Sequence, residues 1–287
     1  MFSAPSTSRF RSRLDGRRAL VALLVYLPLL AYAALSVFPF LTMVSAAFKD
    51  DSEVTSNVGL IPHNPTLQAV KVTWTSLDLL VYVRNSIAIT VISLLAILLI
   101  FPLAAYAFAL LRFPCRRVLF GLFVALLFVP AITVLLPIVL LNDKLGLLGT
   151  RWGVIFPLVN GASPVALVLL RRYFESIPRE LHEAARLDGC SEFKVFTTIY
   201  FPLARPALVA VAVLNFVGIW NEYVLSSVTL SDPEKFTLPL GLQQLLSTSV
   251  VQWNVVMAGA LFVVLPVVAV FLVLQRYFVA GLSGSIK

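Results

Sequence analysis

The stretch HEAARLDGC, residues 182–190, differs from the rest of this chain in its charge. Hydrophobic side chains make up 60% of the 287 residues, and only 13% are charged. The segment from Arg171 to Lys194 nevertheless holds ten charged side chains of both signs. Most of its residues favour helix, so the sequence predicts a charged helical segment between two very apolar regions.

The composition indicates that the solvent of this chain is lipid. Its mean hydropathy of +0.95 and its few charges contrast with the roughly 25% charged residues of soluble domains. A helix needs roughly 20 apolar residues to cross a bilayer, and six stretches are long enough. They cover residues 19–48, 85–111, 118–141, 153–170, 206–230 and 255–279. We therefore expect an all-α, polytopic membrane protein with six transmembrane helices.

The N-terminal region allows two interpretations. Arg17 and Arg18 precede the first apolar stretch, and Val44-Ser45-Ala46 resembles a signal-peptide cleavage site. The apolar run is much longer than the roughly 7–15 residues of a signal core, which favours an uncleaved helix. A cleaved leader is the alternative. Residues 1–18, rich in Ser and Arg, predict a short disordered basic tail.

The basic residues predict the orientation. With the N-terminus inside, 16 of the 22 Lys and Arg residues fall in cytoplasmic segments, which agrees with the positive-inside rule. Both termini are then cytoplasmic, and residues 171–205 form a cytoplasmic loop. The net charge of +8 follows from this topology, and no basic stripe with interleaved aromatics indicates nucleic-acid binding.

Within residues 171–205 the sequence predicts two short helices. Ser176-Ile177-Pro178 has the residues of a helix start, with Ser as the cap and Pro in the first turn. Gly189 is placed to end the first helix in a left-handed turn. Ser191 with Glu192 then begins a second helix that runs on to Ile199.

The spacing of this loop carries a resemblance to a known family. Glu183-Ala184-Ala185, Gly189, Ile199 and Phe201-Pro202 match the pattern EAA-x3-G-x9-I-x-L-P, with Phe201 in place of Leu. The pattern resembles the EAA loop of binding-protein-dependent ABC importer permeases. We call residues 171–205 the EAA loop.

Further segments resemble the maltose-type carbohydrate subfamily, the MalG-like permeases. These are Asn85-Ser86, Ala104-Ala105-Tyr106-Ala107, Trp220-Asn221-Glu222-Tyr223, Met257-Ala258-Gly259-Ala260 and Gln275-Arg276-Tyr277 with Gly281-Leu282. The resemblance covers residues 19–287 and implies one permease domain with the type I ABC importer fold in the bacterial plasma membrane.

The resemblance also implies partners. They are a sister permease (MalF-like), two cytoplasmic ATPase subunits that bind ATP and Mg, and an extracytoplasmic solute-binding protein. The EAA loop would dock on the ATPase, with Glu183 in contact and Gly189 turning the chain. The implied docking residues are Glu183, Ala184, Ala185, Gly189, Ile199 and Pro202.

The chain lacks the residue patterns of an enzyme. None of its six lysines precedes Ser or Thr, so the Gly-Lys-Ser/Thr end of a phosphate-binding loop is missing. No Ser/His, HExxH or paired-Asp constellation indicates an intramembrane enzyme. Cys115 and Cys190 lack metal-site spacing, and His63 and His182 are isolated, so we expect no cofactor or metal.

An ion-coupled secondary transporter is the alternative from another class. Such carriers hold several ionisable residues within the membrane, and here only Glu222 is a candidate. Glu222 has two interpretations, a substrate or gating contact and a structural hydrogen bond to a helix end.

Amides, hydroxyls and aromatic faces suit a path for carbohydrate, and the fourth and fifth spans contain several. The candidates are Asn160, Ser163, Asn215, Trp220, Asn221, Glu222 and Tyr223. Each is equally suited to helix packing. The resemblance implies a sugar as cargo, with glycerol-3-phosphate or a related polar solute as the alternative.

Overall fold

The computed structural model describes the backbone of residues 8–57, 59–76, 78–247 and 250–283. Every regular element in those ranges is a helix, so the all-α prediction is confirmed. The α-helices in chain order are α1 (Ser8–Ala47), α2 (Asp51–Ser56), α3 (Gln68–Ser76), α4 (Leu79–Leu110), α5 (Arg116–Ala125), α6 (Leu135–Lys144), α7 (Trp152–Ser176), α8 (Arg179–Leu187), α9 (Glu192–Val195), α10 (Phe201–Leu203), α11 (Arg205–Trp220), α12 (Val224–Thr229), α13 (Leu238–Leu246) and α14 (Trp253–Ser283).

Three of the predicted spans are continuous helices and three are bent. Long apolar stretches lie in α1, α4 and α14, at residues 22–47, 79–110 and 253–275. The third and fourth spans correspond to helix pairs bent by 102° and 43°, and a 74° bend separates Glu192–Leu203 from Arg205–Trp220, which begins the fifth span. Counting each bent pair as one span gives up to six.

The N-terminal segment differs from the expectation of a disordered tail over residues 1–18. α1 begins at Ser8 and continues without a break into the first apolar stretch. Arg, Leu and Ala all favour helix, and the segment from Ser8 contains no proline before Pro28, so helix can propagate from Ser8 into the span. Residues 1–7 lie outside the described part of the chain.

The chain divides into two compact units, residues 1–71 with 252–261 and residues 72–251 with 262–287. In the first unit Lys49 is buried, and its Nζ donates to the carbonyls of Asn57 and Gly59. His63 is not isolated as predicted, because its ring lies 2.9 Å from Glu53. Hydrogen bonds from the backbone N–H and the ring of His63 hold the pKa of the Glu53 carboxyl below its usual value.

The second unit is built on α4 and α7, which run parallel. Near their N-terminal ends, Arg151 donates to the Asn85 side chain at 2.8 Å. Near their C-terminal ends, the rings of Tyr106 and Phe174 meet edge to face at 6.3 Å between centroids. We call these two regions the Asn85 end and the Tyr106 end. Buried apolar side chains fill the space between them: Ile89, Ile97, Phe101, Ala105, Val154, Leu167 and Leu170.

The third predicted span, residues 118–141, is interrupted and not one helix. α5 passes through a 3-10 turn, Leu126–Phe128, and the chain is extended at Val129 and Pro130. Proline lacks an N–H and disfavours helix in the preceding residue, which accounts for the break.

The broken segment nevertheless runs from one end of the unit to the other. Arg116 donates to the carbonyl of Ala109 at the Tyr106 end, whereas Asn142 donates to that of Gly153 at the Asn85 end. Because α4 and α7 are parallel, the pair α5–α6 has to return along their length.

The fifth predicted span, residues 206–230, ends earlier than expected. α11 stops at Trp220, and the separate helix α12 begins at Val224. At the Tyr106 end, Tyr173 donates to the carbonyl of Leu203, just before α11. At the Asn85 end, Trp220 packs in a cluster with Tyr82. α11 therefore runs antiparallel to α4 and α7.

Gly153 marks a place where backbone segments come close together, and this generates a stability prediction. A Cβ at Gly153 would lie 2.5 Å from the carbonyl oxygen of Leu147, which belongs to backbone and cannot swing away. We expect Gly153→Ala to destabilise the protein by roughly 1–3 kcal/mol, the cost typical of overpacking. Thermal unfolding of the purified protein in detergent measures this.

Gly121→Ala is the matched control, because a Cβ at Gly121 in α5 meets nothing within 4 Å. That change should be neutral or slightly stabilising, since Ala favours helix over Gly. Equal unfolding temperatures for the two variants would contradict the close approach at Gly153.

Candidate functional site

The EAA loop contains a helix that ends as the sequence predicted. Gly189 has a φ of +81°, in the left-handed region. The N–H of Gly189 bonds to the carbonyl of Arg186, and that of Cys190 bonds to the carbonyl of Ala185. These two bonds form a Schellman motif, which satisfies the last carbonyls of α8. The predicted left-handed turn at Gly189 is confirmed.

The two predicted helix starts have different outcomes. Ser191 caps α9, because its hydroxyl accepts from the N–H of Lys194 at 3.3 Å, as predicted. Ser176 does not cap α8. It is the last residue of α7, and its hydroxyl donates back to the carbonyl of Tyr173 at 2.7 Å. That part of the prediction was wrong, because α7 extends past its apolar segment into the loop.

A carboxylate joins the EAA loop to the transmembrane helices. The Glu192 side chain on α9 accepts a hydrogen bond of 2.7 Å from the Tyr106 hydroxyl on α4. On α8, His182 Nε2 and Arg186 Nε lie 3.1 and 3.4 Å from the same carboxylate. Three helices therefore meet at one half-buried acid. We call Glu192, Tyr106, His182 and Arg186 the Glu192 junction.

Sequence reasoning did not identify the Glu192 junction. The sequence marks His182 only as isolated and Glu192 only as the start of a helix. His182 and Arg186 are four residues apart and share a face of α8, which was a usable signal. The contact with Tyr106 joins residues 86 positions apart, which no local pattern can indicate.

An aromatic cluster surrounds the junction and holds the loop against α4 and α7. Tyr106 contacts Phe196 and Tyr200 edge to face, at centroid distances of 5.3 and 5.2 Å. Phe174 on α7 contacts Tyr200 at 5.9 Å. Phe174 and Tyr200 are fully buried, so this side of the loop belongs to the core of the unit. Aromatic pairs of this geometry add to the stabilisation from buried area.

The opposite side of the loop exposes large apolar side chains. Leu187 is 89% exposed, and Phe193 and Leu181 are 67% and 43% exposed. Glu183, Ala184 and Gly189 are exposed as well. Apolar patches rimmed by charges are typical of surfaces that bind another protein.

The remaining residues of the EAA pattern are turned towards the chain itself. Ala185 is buried, and Ile199 is half-buried against the hydrophobic core. Pro202 in α10 is also half-buried. The pattern thus combines residues that present a surface with residues that fix the loop to the core.

The predicted path residues mostly hydrogen-bond within their own helices. Asn160, Asn215 and Asn221 each donate to the carbonyl four residues before, at 3.0, 2.8 and 2.9 Å. Trp220 is buried, and its Nε1 donates to the carbonyl of Val263 at 2.9 Å. Tyr223 is exposed, and the side chain of Ser163 lies outside the described residues.

Glu222 has the structural role that was one of its two interpretations. Its carboxylate accepts from the N–H groups of Leu225 and Ser226 and from the Ser226 hydroxyl, at 2.6, 3.0 and 2.6 Å. These are first-turn donors of α12, which have no partner within the helix. A negative charge here also suits the helix dipole. Glu222 therefore starts α12 and defines the break after α11.

The capping role of Glu222 predicts a local loss of structure on substitution. Glu222→Ala should destabilise α12 by about 1–2 kcal/mol, the usual effect of losing an N-terminal cap. Hydrogen exchange should then speed up at the amides of Leu225 and Ser226. Glu222→Gln, which keeps one acceptor, should show a smaller effect, and Tyr223→Phe is the control. Unchanged exchange in Glu222→Ala would refute the capping role.

A second feature lies at the Asn85 end. A cavity of about 440 Å³ is lined by the cations Arg84, Arg151 and Lys235. Asn85 is buried there, donates to the carbonyls of Glu234 and Phe236, and accepts from Arg151. The Lys235 ammonium pairs with Asp232 at 3.4 Å. The lining of the cavity therefore has an excess of positive charge.

Known proteins are similar in sequence to this chain over nearly its whole length. Similar to it are a galactooligosaccharides transport system permease protein of Bacillus subtilis, 34% identical over 94% of this chain and 96% of the relative, and a maltose/maltodextrin transport system permease protein of Vibrio vulnificus, 32% identical over 91% and 94%.

A solved bacterial ABC transporter involved in import of the acidic polysaccharide alginate matches the fold. The two structures superpose with a TM-score of 0.77 at 26% sequence identity, and the match covers 96% of this chain and all of the chain in the solved transporter. A methionine ABC transporter shares the fold at 18% identity and a TM-score of 0.53. Residues 100–284 match the family model described as binding-protein-dependent transport system inner membrane component. The chain therefore belongs to this family, as a multi-pass inner-membrane permease of the ABC importers.

Proposed function

We propose that this chain is a permease subunit of an ATP-driven importer for a sugar or oligosaccharide. Relatives named for galactooligosaccharides, arabinooligosaccharides and maltodextrin support this class of cargo. The observation that carries the proposal is the EAA loop, which exposes Leu187 and Phe193 on one side and is bound to α4 on the other. Such a loop is suited to pass force from a soluble partner to a transmembrane helix.

The partners follow from this assignment. A sister permease (MalF-like) would complete the path, a solute-binding protein would deliver cargo from outside, and two cytoplasmic ATPase subunits would bind ATP and Mg. Both termini lie in the cytoplasm, and six spans are made by α1, α4, the pair α5–α6, α7, α11 and α14. In the second unit the arginine-rich segments lie at the Tyr106 end, and this supports a cytoplasmic location of that end.

The docking surface on the ATPase side would comprise Glu183, Ala184, Leu187 and Phe193. Closure of the ATPase dimer would displace α8 and α9 together, because Glu192 of α9 binds His182 and Arg186 of α8. The displacement would reach α4 through Tyr106 and α11 through α10. Glu222 and Trp220 then act as structural residues, and Asn160, Asn221 and Tyr223 remain candidates for the path.

Gly189 provides the test of docking. Gly189→Val should strain the left-handed turn by roughly 1–3 kcal/mol and reposition α9, because β-branched residues resist positive φ. Gly189→Asn is the matched control, since Asn tolerates this conformation. No atom lies within 4 Å of a Cβ at Gly189, so crowding within the chain does not confuse the comparison.

The measurements are co-purification of the ATPase and uptake of oligosaccharide by cells. We expect Gly189→Val to reduce both the co-purified ATPase and the uptake by roughly tenfold or more, and Gly189→Asn to retain most of each. The sister permease should remain bound to each variant. Normal ATPase binding and uptake with Gly189→Val would show that the loop is an ordinary connection.

A second class of cargo, an anionic solute such as glycerol-3-phosphate or a sugar acid, is favoured by one observation. The cavity at the Asn85 end has three cations, and only Lys235 among them has an acidic partner among the described residues. The alginate importer that shares this fold handles an acidic polysaccharide. Cations at the outer end of a permease suit a carboxylate or phosphate.

Arg84 distinguishes the two cargoes. For an anionic cargo, Arg84→Gln should reduce uptake roughly tenfold, because a charge-assisted hydrogen bond is lost. For a neutral sugar, uptake should stay within twofold of the wild type. Lys144→Gln, which removes an exposed charge at the same end outside the cavity, is the control. Competition assays with neutral and uronic-acid oligosaccharides measure the difference.

A further inference from the structure

A second basic cavity lies at the Tyr106 end, on the flank of the EAA loop and apart from its docking surface. Its volume is about 550 Å³, and four arginines line it: Arg112, Arg116, Arg117 and Arg171. The volume falls within the roughly 300–1,000 Å³ that is usual for ligand sites. Neither Asp nor Glu is among the lining residues.

Two of the arginines are held in place by the protein. Arg116 donates to the carbonyls of Leu111 and Ala109, at 2.9 and 3.1 Å, and so caps the end of α4. Arg171 pairs with Glu175 at 2.8 Å, and its guanidinium lies 3.8 Å from the ring centroid of Phe120. Glu175 balances one of the four positive charges and leaves three.

The other two arginines are available to a ligand. Among the residues that the structure describes, Arg112 and Arg117 have neither an acid nor a carbonyl as partner for their side chains. Both are exposed. Guanidinium groups bind phosphate oxygens in a bidentate manner, which favours a phosphate-bearing ligand over a chloride ion.

The wall beside the cavity is apolar. α5 leaves the cavity at Arg116, and its next turns expose Val118, Leu119 and Leu122 to 65%, 42% and 60%. Cys115, the residue before α5, has a φ of 58°, so the chain turns sharply and α5 starts at the cavity. A charged pocket followed by an exposed apolar helix matches the two parts of a phospholipid, a headgroup and its acyl chains.

We propose that this cavity binds the phosphate of an anionic phospholipid, with the acyl chains along α5. Basic pockets between transmembrane helices on the cytoplasmic side are known to take such headgroups. The site would anchor the α4–α5 corner at the membrane surface, immediately beside the loop that receives the ATPase. It does not depend on the identity of the cargo.

The test uses the importer complex purified with the subunits that accompany this chain. Native mass spectrometry measures the affinity of the complex for phosphatidylglycerol, phosphatidylcholine and inorganic phosphate. The wild type should bind phosphatidylglycerol and not phosphatidylcholine. Binding of inorganic phosphate without phosphatidylglycerol would assign the site to a soluble phosphate compound and overturn the lipid proposal.

The variants separate this site from general charge attraction. Arg112→Gln combined with Arg117→Gln should lower the affinity for phosphatidylglycerol about 30-fold. Arg172→Gln, which removes an adjacent exposed charge that does not line the cavity, should leave it within twofold. Equal losses in both variants, or no loss in the double variant, would overturn the proposal. Loss of the ATPase with unchanged lipid affinity would assign the arginines to a protein contact instead.

A measurement on the wild type covers the case in which the double variant does not assemble. A photoreactive phosphatidylglycerol with its reactive group near the start of the acyl chain should label residues of α5. Glycerophosphate at equal concentration should leave this labelling unchanged in a lipid nanodisc. Labelling confined to other helices would refute the site.

Discussion

The parallel packing of α4 and α7 is the constraint on which the second unit depends. Two parallel helices that follow each other in a membrane require a return segment, so α5 and α6 have to cross between them. The pair is fixed at one end by Asn85 and Arg151 and at the other by Tyr106 and Phe174. Each fixing point also holds another element, the turn at Glu234–Phe236 at one end and the EAA loop at the other. The packing therefore decides where both candidate functional regions lie.

The broken spans follow from the cost of unsatisfied backbone groups in lipid. A helix interrupted at membrane depth has to satisfy its free N–H and carbonyl groups by other means. At the end of α11 this is done by Glu222, which accepts from the first amides of α12. At the membrane-surface end of α4, Arg116 likewise donates to the carbonyls of Ala109 and Leu111. Charged residues within very apolar segments are thus explained by backbone satisfaction, before any role in transport is considered.

The sequence allowed the helical class, the apolar segments and the turn at Gly189 to be predicted. These depend on local properties: apolar length, and the freedom of glycine at positive φ. The break in the third span was not predicted, because hydropathy continues across Val129 while the hydrogen bonding changes. The fifth span was extended past the polar pair Asn221-Glu222, where α11 ends. The Glu192 junction was also out of reach, since it depends on Tyr106 in a distant helix. Conversely, Glu222 suggests a function because it is a lone acid in an apolar segment. Its actual partners, Leu225 and Ser226, lie only three and four residues further along the chain.

The two faces of α8 suit this short helix to the proposed role of receiving and transmitting a force. Leu181, Ala184 and Leu187 recur at every third residue and share the exposed face, whereas His182, Ala185 and Arg186 face α9 and the core. A partner that covers Leu187 removes from water a side chain that is 89% exposed, a gain of roughly 1.5–3 kcal/mol for full burial. The opposite face is held by an ion pair, hydrogen bonds and buried aromatic rings, so α8 cannot shift without moving Glu192. In the proposed docking, binding energy gained on one face would be available as displacement of α4.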